Sequence, residues 1–119
     1  MHHIYVMTNN ITSRKYVGQT FGRAIQWRFK DHMKMCRTHK TKNTMMQSDY
    51  DRFGEDSFTV EEIVACPEES AHLLEYALMD ALGTRNPSVG YNYMDILKGK
   101  DALKKVNLAD FEVSIEKLL

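Results

Sequence analysis

The sequence predicts a single α+β domain, and three observations predict it. The 119 residues are enough for one modest core. Segments rich in β-branched and aromatic residues, at 3–8, 14–18 and 57–64, read as strands. Segments 22–37, 43–53 and 67–82 carry the apolar spacing of helices.

The first strand, His3-Ile4-Tyr5-Val6-Met7-Thr8, and the second, Arg14-Lys15-Tyr16-Val17-Gly18, flank Asn9-Asn10 and Thr12-Ser13 and so form a hairpin. Strand parity sets Tyr5 opposite Ile4 and Val6, and Tyr16 opposite Val17. The aliphatic face is the expected core side, which leaves the tyrosines to line a cleft. Helix 22–37 follows, with Thr20 as a candidate cap. Helix 43–53 ends at Gly54. After strand 57–64, Pro67-Glu68-Glu69 opens a helix to about Leu82, its acidic first turn suited to the helix dipole, and Gly83 stops it. Residues 84–94 read as a loop and short extended piece. Two weaker helices are expected near 100–106 and 108–118. In the second, Leu108, Phe111, Ile115 and Leu118 recur at helical spacing, as in a helix that packs on the domain. Met33, Met35, Met45 and Met46 read as core filler, and Tyr91 and Tyr93 as core or rim aromatics.

Composition is that of an ordinary globular chain, 43% hydrophobic and 27% charged. No apolar run approaches the roughly 18 residues a membrane span requires, and the N-terminus lacks the regions of a signal peptide. An intracellular (cytoplasmic) protein without a membrane partner is expected. Cys36 and Cys66 are read as reduced thiols.

Net charge is zero, but it is segregated. Residues 1–48 hold Arg14, Lys15, Arg23, Arg28, Lys30, Lys34, Arg37, Lys40 and Lys42 against Asp31 alone, a net +8, and the remainder is −8. A basic face on a neutral molecule is a candidate phosphate-binding footprint. Within it, Arg28, His32, Met35 and His39 fall on one stripe of an ideal helix, at about 100° per residue. In helix 67–82, Glu75 stands at the edge of an apolar arc of Leu73, Leu74, Ala77, Leu78, Ala81 and Leu82. A carboxylate at a cleft edge can hold a hard cation.

Several motifs occur in a recognisable order. They are His3-Ile4-Tyr5, Tyr16-Val17-Gly18, Gln19-Thr20, Trp27-Arg28 with His32, the segment from Phe53-Gly54 to Ile63, Leu73-Leu74-Glu75, and Gly90-Tyr91-Asn92. This series resembles the GIY-YIG nucleases, in particular the phage homing-endonuclease branch, over roughly residues 3–93. One position departs from the pattern: His3 stands where the family has its leading glycine.

The resemblance implies a small three-stranded antiparallel sheet flanked by helices, with a catalytic domain over 1–95 and a short helical extension over 96–119. It implies a metal-dependent endonuclease acting on DNA, double-stranded by preference, in a homing or mobile-element setting. The catalytic residues would be Tyr5, Tyr16, Arg28 and His32. Tyr5 is the candidate general base, although a free phenol titrates near about 10. His32 would take its proton and Arg28 would favour the phenolate while binding the scissile phosphate. Tyr16 would hydrogen-bond the phosphate or the attacking water, and sequence leaves open which tyrosine is the base. Glu75 would hold one divalent metal, magnesium or alternatively manganese, with water and phosphate completing its shell. Asn92 would orient the site or contact backbone near the substrate. Lys15, Arg37, His39, Lys40 and Lys42 are candidate phosphate contacts.

Only about 25 residues follow Asn92, with no zinc finger or clear helix-turn-helix. Weak intrinsic sequence specificity is therefore expected, with a homo-oligomer or a partner protein supplying the rest. The alternatives are a nuclease for single-stranded DNA or RNA, a catalytically silent nucleic-acid-binding domain of the same fold, and a zinc module on His32, Cys36 and His39 with Cys66 or His72.

Overall fold

A computed structural model describes residues 1–93 and 102–119. Strands β1 (His2–Asn9), β2 (Lys15–Phe21) and β3 (Phe58–Cys66) form one antiparallel sheet in the order β2-β1-β3. Helices α1 (Ile25–Arg37) and α2 (Thr44–Phe53) lie between β2 and β3 in the chain, and α3 (Glu68–Leu82) follows β3. The predicted class, a three-stranded antiparallel sheet flanked by helices, is the observed one.

The central strand is buried on both faces. Ile4 and Val6 join Val17, Leu74 and Leu78 in a core beneath α3. Tyr5 and Met7 join Ile25, Met33, Met46 and Phe58 in a second core beneath α1 and α2. Alternating side chains thus serve two cores rather than one core and water. The predicted parity is correct, but the tyrosine face is not left free: Tyr5 is 1% exposed, while Tyr16 is partly buried. Helices cover both sides of the sheet, so its second face is also interior.

Element boundaries show where local signals were misread. Helix α1 starts at Ile25, its N-cap is Ala24, and Thr20 belongs to β2. Pairing of Thr20 with His3 continues the hairpin past the predicted end at residue 18. Gly54 and Gly83 end α2 and α3 as expected, with φ of 84° and 69° that favour glycine. Met33 and Met46 are core residues, whereas Met35 faces solvent.

In the register of β1 against β3, Ile4 faces Val64 and Tyr5 faces Glu62, so Ile63 is an extra residue in β3. At this bulge the His3 imidazole pairs with the Glu62 carboxylate. The side chain that replaces the family glycine is therefore tied to β3, and the Tyr5 contacts described below coexist with it.

The predicted helix over 108–118 is instead a 3-10 helix, Leu108–Phe111, followed by turns. Glu112 has φ of 60° and stops the helical path. Leu108, Phe111, Ile115 and Leu118 nonetheless pack on the α3 core. Helix α4 (Ala102–Lys105) falls within the predicted 100–106, whose first two residues, like the predicted 95/96 boundary, lie outside the described residues. No described helix is long and apolar enough to cross a membrane.

Candidate active site

Four elements bring the tyrosines, Arg28, His32 and Glu75 together. Tyr5 projects from the middle of β1 and Tyr16 from the start of β2, on the α1 side of the sheet. Their ring centroids are 6.3 Å apart. His32, one turn beyond Arg28 on α1, meets both: its ring lies edge-on to Tyr16 at 5.1 Å and to Tyr5 at 6.1 Å. The Tyr5 hydroxyl is 2.9 Å from His32 Nε2. It donates this bond when His32 is in the Nδ1–H tautomer.

Room for this cluster comes from Gly18. Gly18 faces Tyr5 across the β1–β2 pair. A Cβ there would fall inside the Tyr5 phenol, 2.5 Å from Cζ, and 2.9 Å from Tyr16 Cε1. The glycine of Tyr16-Val17-Gly18 is thus a seat for the first tyrosine.

Burial dominates the electrostatics. The Tyr5 phenol is pushed well above its ordinary range, chiefly by desolvation and then by Tyr16, against the opposing pull of Arg28. The Tyr16 phenol is raised by desolvation and by the Glu75 carboxylate. His32 is lowered to about 4 by burial and by the Arg28 cation. The sequence expectation that Arg28 would favour a Tyr5 phenolate is corrected here: Arg28 acts in that direction, but desolvation outweighs it. At neutral pH the pair is a protonated phenol bonded to a neutral imidazole.

Arg28 reaches the Tyr5 hydroxyl and is otherwise lightly held. Its side chain is 43% exposed, and its one ion pair among the described residues is a loose 4.0 Å contact with Asp31. Glu75 comes from α3, and its carboxylate acts on both tyrosines. Gln19 holds it there: Nε2 donates to Glu75 Oε2 at 2.5 Å and lies 3.1 Å from His72 Nδ1. The other end of the same amide meets His2 Nδ1 at 3.0 Å. Sequence reading missed this role of Gln19, which quickly follows from its parity: it shares the α3 face of β2 with Val17.

Asn92 is tied to the backbone of β2. It accepts from the Val17 N–H and donates to the Val17 carbonyl, both at 2.9 Å. Lys15 N–H donates to the Val89 carbonyl and Tyr91 N–H to the Lys15 carbonyl. Residues 89–92 thereby cover the backbone edge of β2, which would otherwise be unpaired.

The predicted peripheral contacts are not gathered at this site. Lys15 lies on the opposite face of β2 from Tyr16 and donates to Thr8. Arg37, nine residues beyond Arg28, pairs with Glu55 at 2.7 Å. His39 is past the end of α1 with φ of 55°, so it leaves the predicted stripe. Lys40 and Lys42 follow it in the loop before α2. Arg14, counted in the basic footprint, is bound to the buried Asp49, which also accepts from the Tyr91 hydroxyl. That network closes the fold and had no signal in the sequence, because Asp49 looks like any helix-surface carboxylate.

The zinc alternative does not fit. Cys36 is fully buried in the second core, its thiol pushed up to about 11 by burial. Among the described residues no group of three His, Cys, Asp or Glu is placed to hold a metal. A site centred on Glu75 has a different donor set: one carboxylate, with the His72 imidazole and the Gln19 amide beside it.

Two tyrosines from the sheet, an arginine and a histidine from α1 and a glutamate from α3 meet in one place, the set expected of a nuclease catalytic domain. The family comparison agrees. Residues 1–92 match the sequence model of the GIY-YIG catalytic domain, and the chain belongs to that family of nucleases. Two solved structures share its fold: the catalytic domain of homing endonuclease I-TevI, with TM-score 0.67, and a point mutant of the catalytic domain of intron endonuclease I-TevI, with TM-score 0.66. Each is 21% identical to this chain and covers 80% of it, and the match spans 100% and 96% of those two chains. No curated protein matches significantly.

Proposed function

We propose that this chain is a metal-dependent endonuclease that hydrolyses DNA phosphodiester bonds, with double-stranded DNA as its main substrate. The observation that carries this reading is the Tyr5–His32 hydrogen bond set beside an exposed Arg28 and the Glu75 carboxylate.

Hydrolysis requires a deprotonated water, charge stabilisation at phosphorus and a neutralised leaving oxygen. Tyr5 is too poor an acid to act as a standing phenolate, so the proton moves by relay. The Tyr5 oxygen takes a proton from the attacking water as its own proton passes to His32 Nε2. The relay keeps Tyr5 a neutral phenol and places the proton's charge on His32, where the negative charge developing on the attacked phosphate offsets the opposition of burial and of Arg28. His32 returns the proton afterwards. Arg28 offers its planar fork to the phosphate oxygens and so favours the extra charge of the transition state. Tyr16, in contact with His32 and near Glu75, donates to the phosphate.

Glu75 would hold one magnesium or manganese ion, with Gln19 and His72 beside it; a bound ion supplies Lewis acidity at the phosphate and the leaving oxygen. One carboxylate with an imidazole and an amide beside it suits a cation that keeps much of its water and takes substrate oxygens.

The gathered groups bind phosphate and do not read base edges, which supports weak intrinsic sequence specificity. Additional specificity would come from a second copy or a partner protein. The homing or mobile-element setting rests on likeness to the homing endonuclease fold.

The test is a panel of supercoiled plasmid, single-stranded DNA and RNA, incubated with magnesium, manganese or chelator. Nicked or linear plasmid that requires the metal and is lost in Glu75→Ala supports the reading. A plasmid that stays supercoiled in every metal refutes it.

A further inference from the structure

The exposed surface next to Arg28 carries a feature that the hydrolysis site does not use. Trp27, the chain's one tryptophan, is 60% exposed in the first turn of α1. Its Cα is about 3.8 Å from that of Arg28 along the chain. The indole stands between two hollows. One is bordered by Gly22, Arg23 and Ala24, and the other runs along α1 past Lys30 and Lys34. The Lys30 ammonium lies over the ring, 5.6 Å from its centre. Among the described residues, Arg23, Lys30 and Lys34 make no ion pair. Exposing so much indole costs burial that a core position would gain, roughly 25 cal/mol per Å² of apolar surface. A flat exposed aromatic with Lys30 on its ring, Arg23 and Lys34 along its two hollows, and Asp31 and Glu55 also lining the second, has the chemistry of a nucleobase platform: stacking on the ring, phosphates on the cations.

Resting on the nuclease reading above, we propose that Trp27 is a stacking subsite for one unpaired nucleobase beside the phosphate held by Arg28. Within duplex DNA both faces of a base are covered by its neighbours, so only an unstacked base can take the indole. DNA that offers such a base next to the cut, as at a flap, bulge or single-stranded junction, is then bound more tightly than a fully paired duplex.

Because Trp27 is the sole tryptophan, its fluorescence reports this contact directly. The protein, in chelator so that no DNA is cut, is titrated with a dye-labelled duplex carrying one unpaired base and with its fully paired counterpart. Dye anisotropy measures binding and tryptophan emission measures stacking. The unpaired-base DNA should quench Trp27 strongly and the paired duplex weakly. Trp27→Leu should weaken binding of the unpaired-base DNA about tenfold or more, the usual scale for one stacked base, and leave the paired duplex within about twofold. DNA that binds without quenching Trp27, or a Trp27→Leu loss equal on both DNAs, overturns the subsite and leaves the nuclease reading standing. Failure of both DNAs to bind overturns the subsite and the nuclease reading together.

Discussion

The Tyr5 hydroxyl and His32 Nε2, from residues 27 apart in sequence, meet at 2.9 Å in the floor of the site. Both groups are largely withdrawn from water, and burial drives their titrations in opposite directions from their charged forms. The proposed chemistry depends on that pairing.

Removing either end of the pair should slow cleavage without unfolding the protein. Tyr5→Phe keeps the ring and deletes the proton carrier; His32→Gln keeps a polar side chain and deletes the base. Each should lower the single-turnover rate by about 10²–10⁴-fold, the range for general acid–base groups. The double variant should be little slower than either single one, because the two act as a unit. Gel-resolved plasmid cleavage gives the rates, and independent, multiplying losses would count against the relay.

The lowered His32 also fixes a pH dependence. Between its ordinary 6.5 and about 4 the unfolded chain binds a proton at this position that the folded chain refuses. Stability therefore falls as pH drops through this window and is unaffected by this group above it. The change is on the order of 2–3 kcal/mol. Urea denaturation at pH 6.5 and 4.5 should show the loss in wild type and a smaller one in His32→Gln. The same lowering predicts that cleavage keeps an active His32 well below pH 6.5.

Gly18→Ala tests the seat beneath Tyr5. The added methyl meets the phenol, so Tyr5 must shift by a sizeable fraction of an ångström. Stability should fall by about 1–3 kcal/mol, as for other overpacked sites. Cleavage should fall further than that, toward the 10²-fold scale of a misplaced catalytic group. Thermal melts beside cleavage rates distinguish the two, and normal activity would show that Tyr5 is not used where it stands.

Gln19→Ala should loosen Glu75 and raise the magnesium concentration needed for half-maximal cleavage severalfold, with a smaller change in the rate at saturating metal. A direct binding measurement with manganese by paramagnetic resonance would show the same weakening without turnover. Unchanged metal affinity would remove Gln19 from the account.

These residues also show what the sequence could and could not disclose. The hairpin, its parity and the three main helices were legible because period, turn residues and helix stops agree locally. Tyr5, Tyr16, Arg28, His32 and Glu75 were legible through motif order, since their convergence needs contacts between elements far apart in the chain. Burial of Tyr5 was not, because a strand covered on both faces and one covered on a single face can share the same alternation. The fates of Arg14, Lys15 and Arg37 were hidden for a related reason: a charge count is blind to Asp49, Thr8 and Glu55, which engage them. Gln19 and Asn92 are ordinary amides until the register places them at Glu75 and Val17.

The most direct measurement is the nicking of supercoiled plasmid in magnesium by wild type beside Arg28→Ala, with folding checked by circular dichroism. Arg28 is assigned to the scissile phosphate and holds no buried ion pair, so its loss should spare the fold and reduce nicking by at least about 10²-fold. A folded Arg28→Ala protein that nicks at the wild-type rate would contradict the assignment of this cluster as the active site.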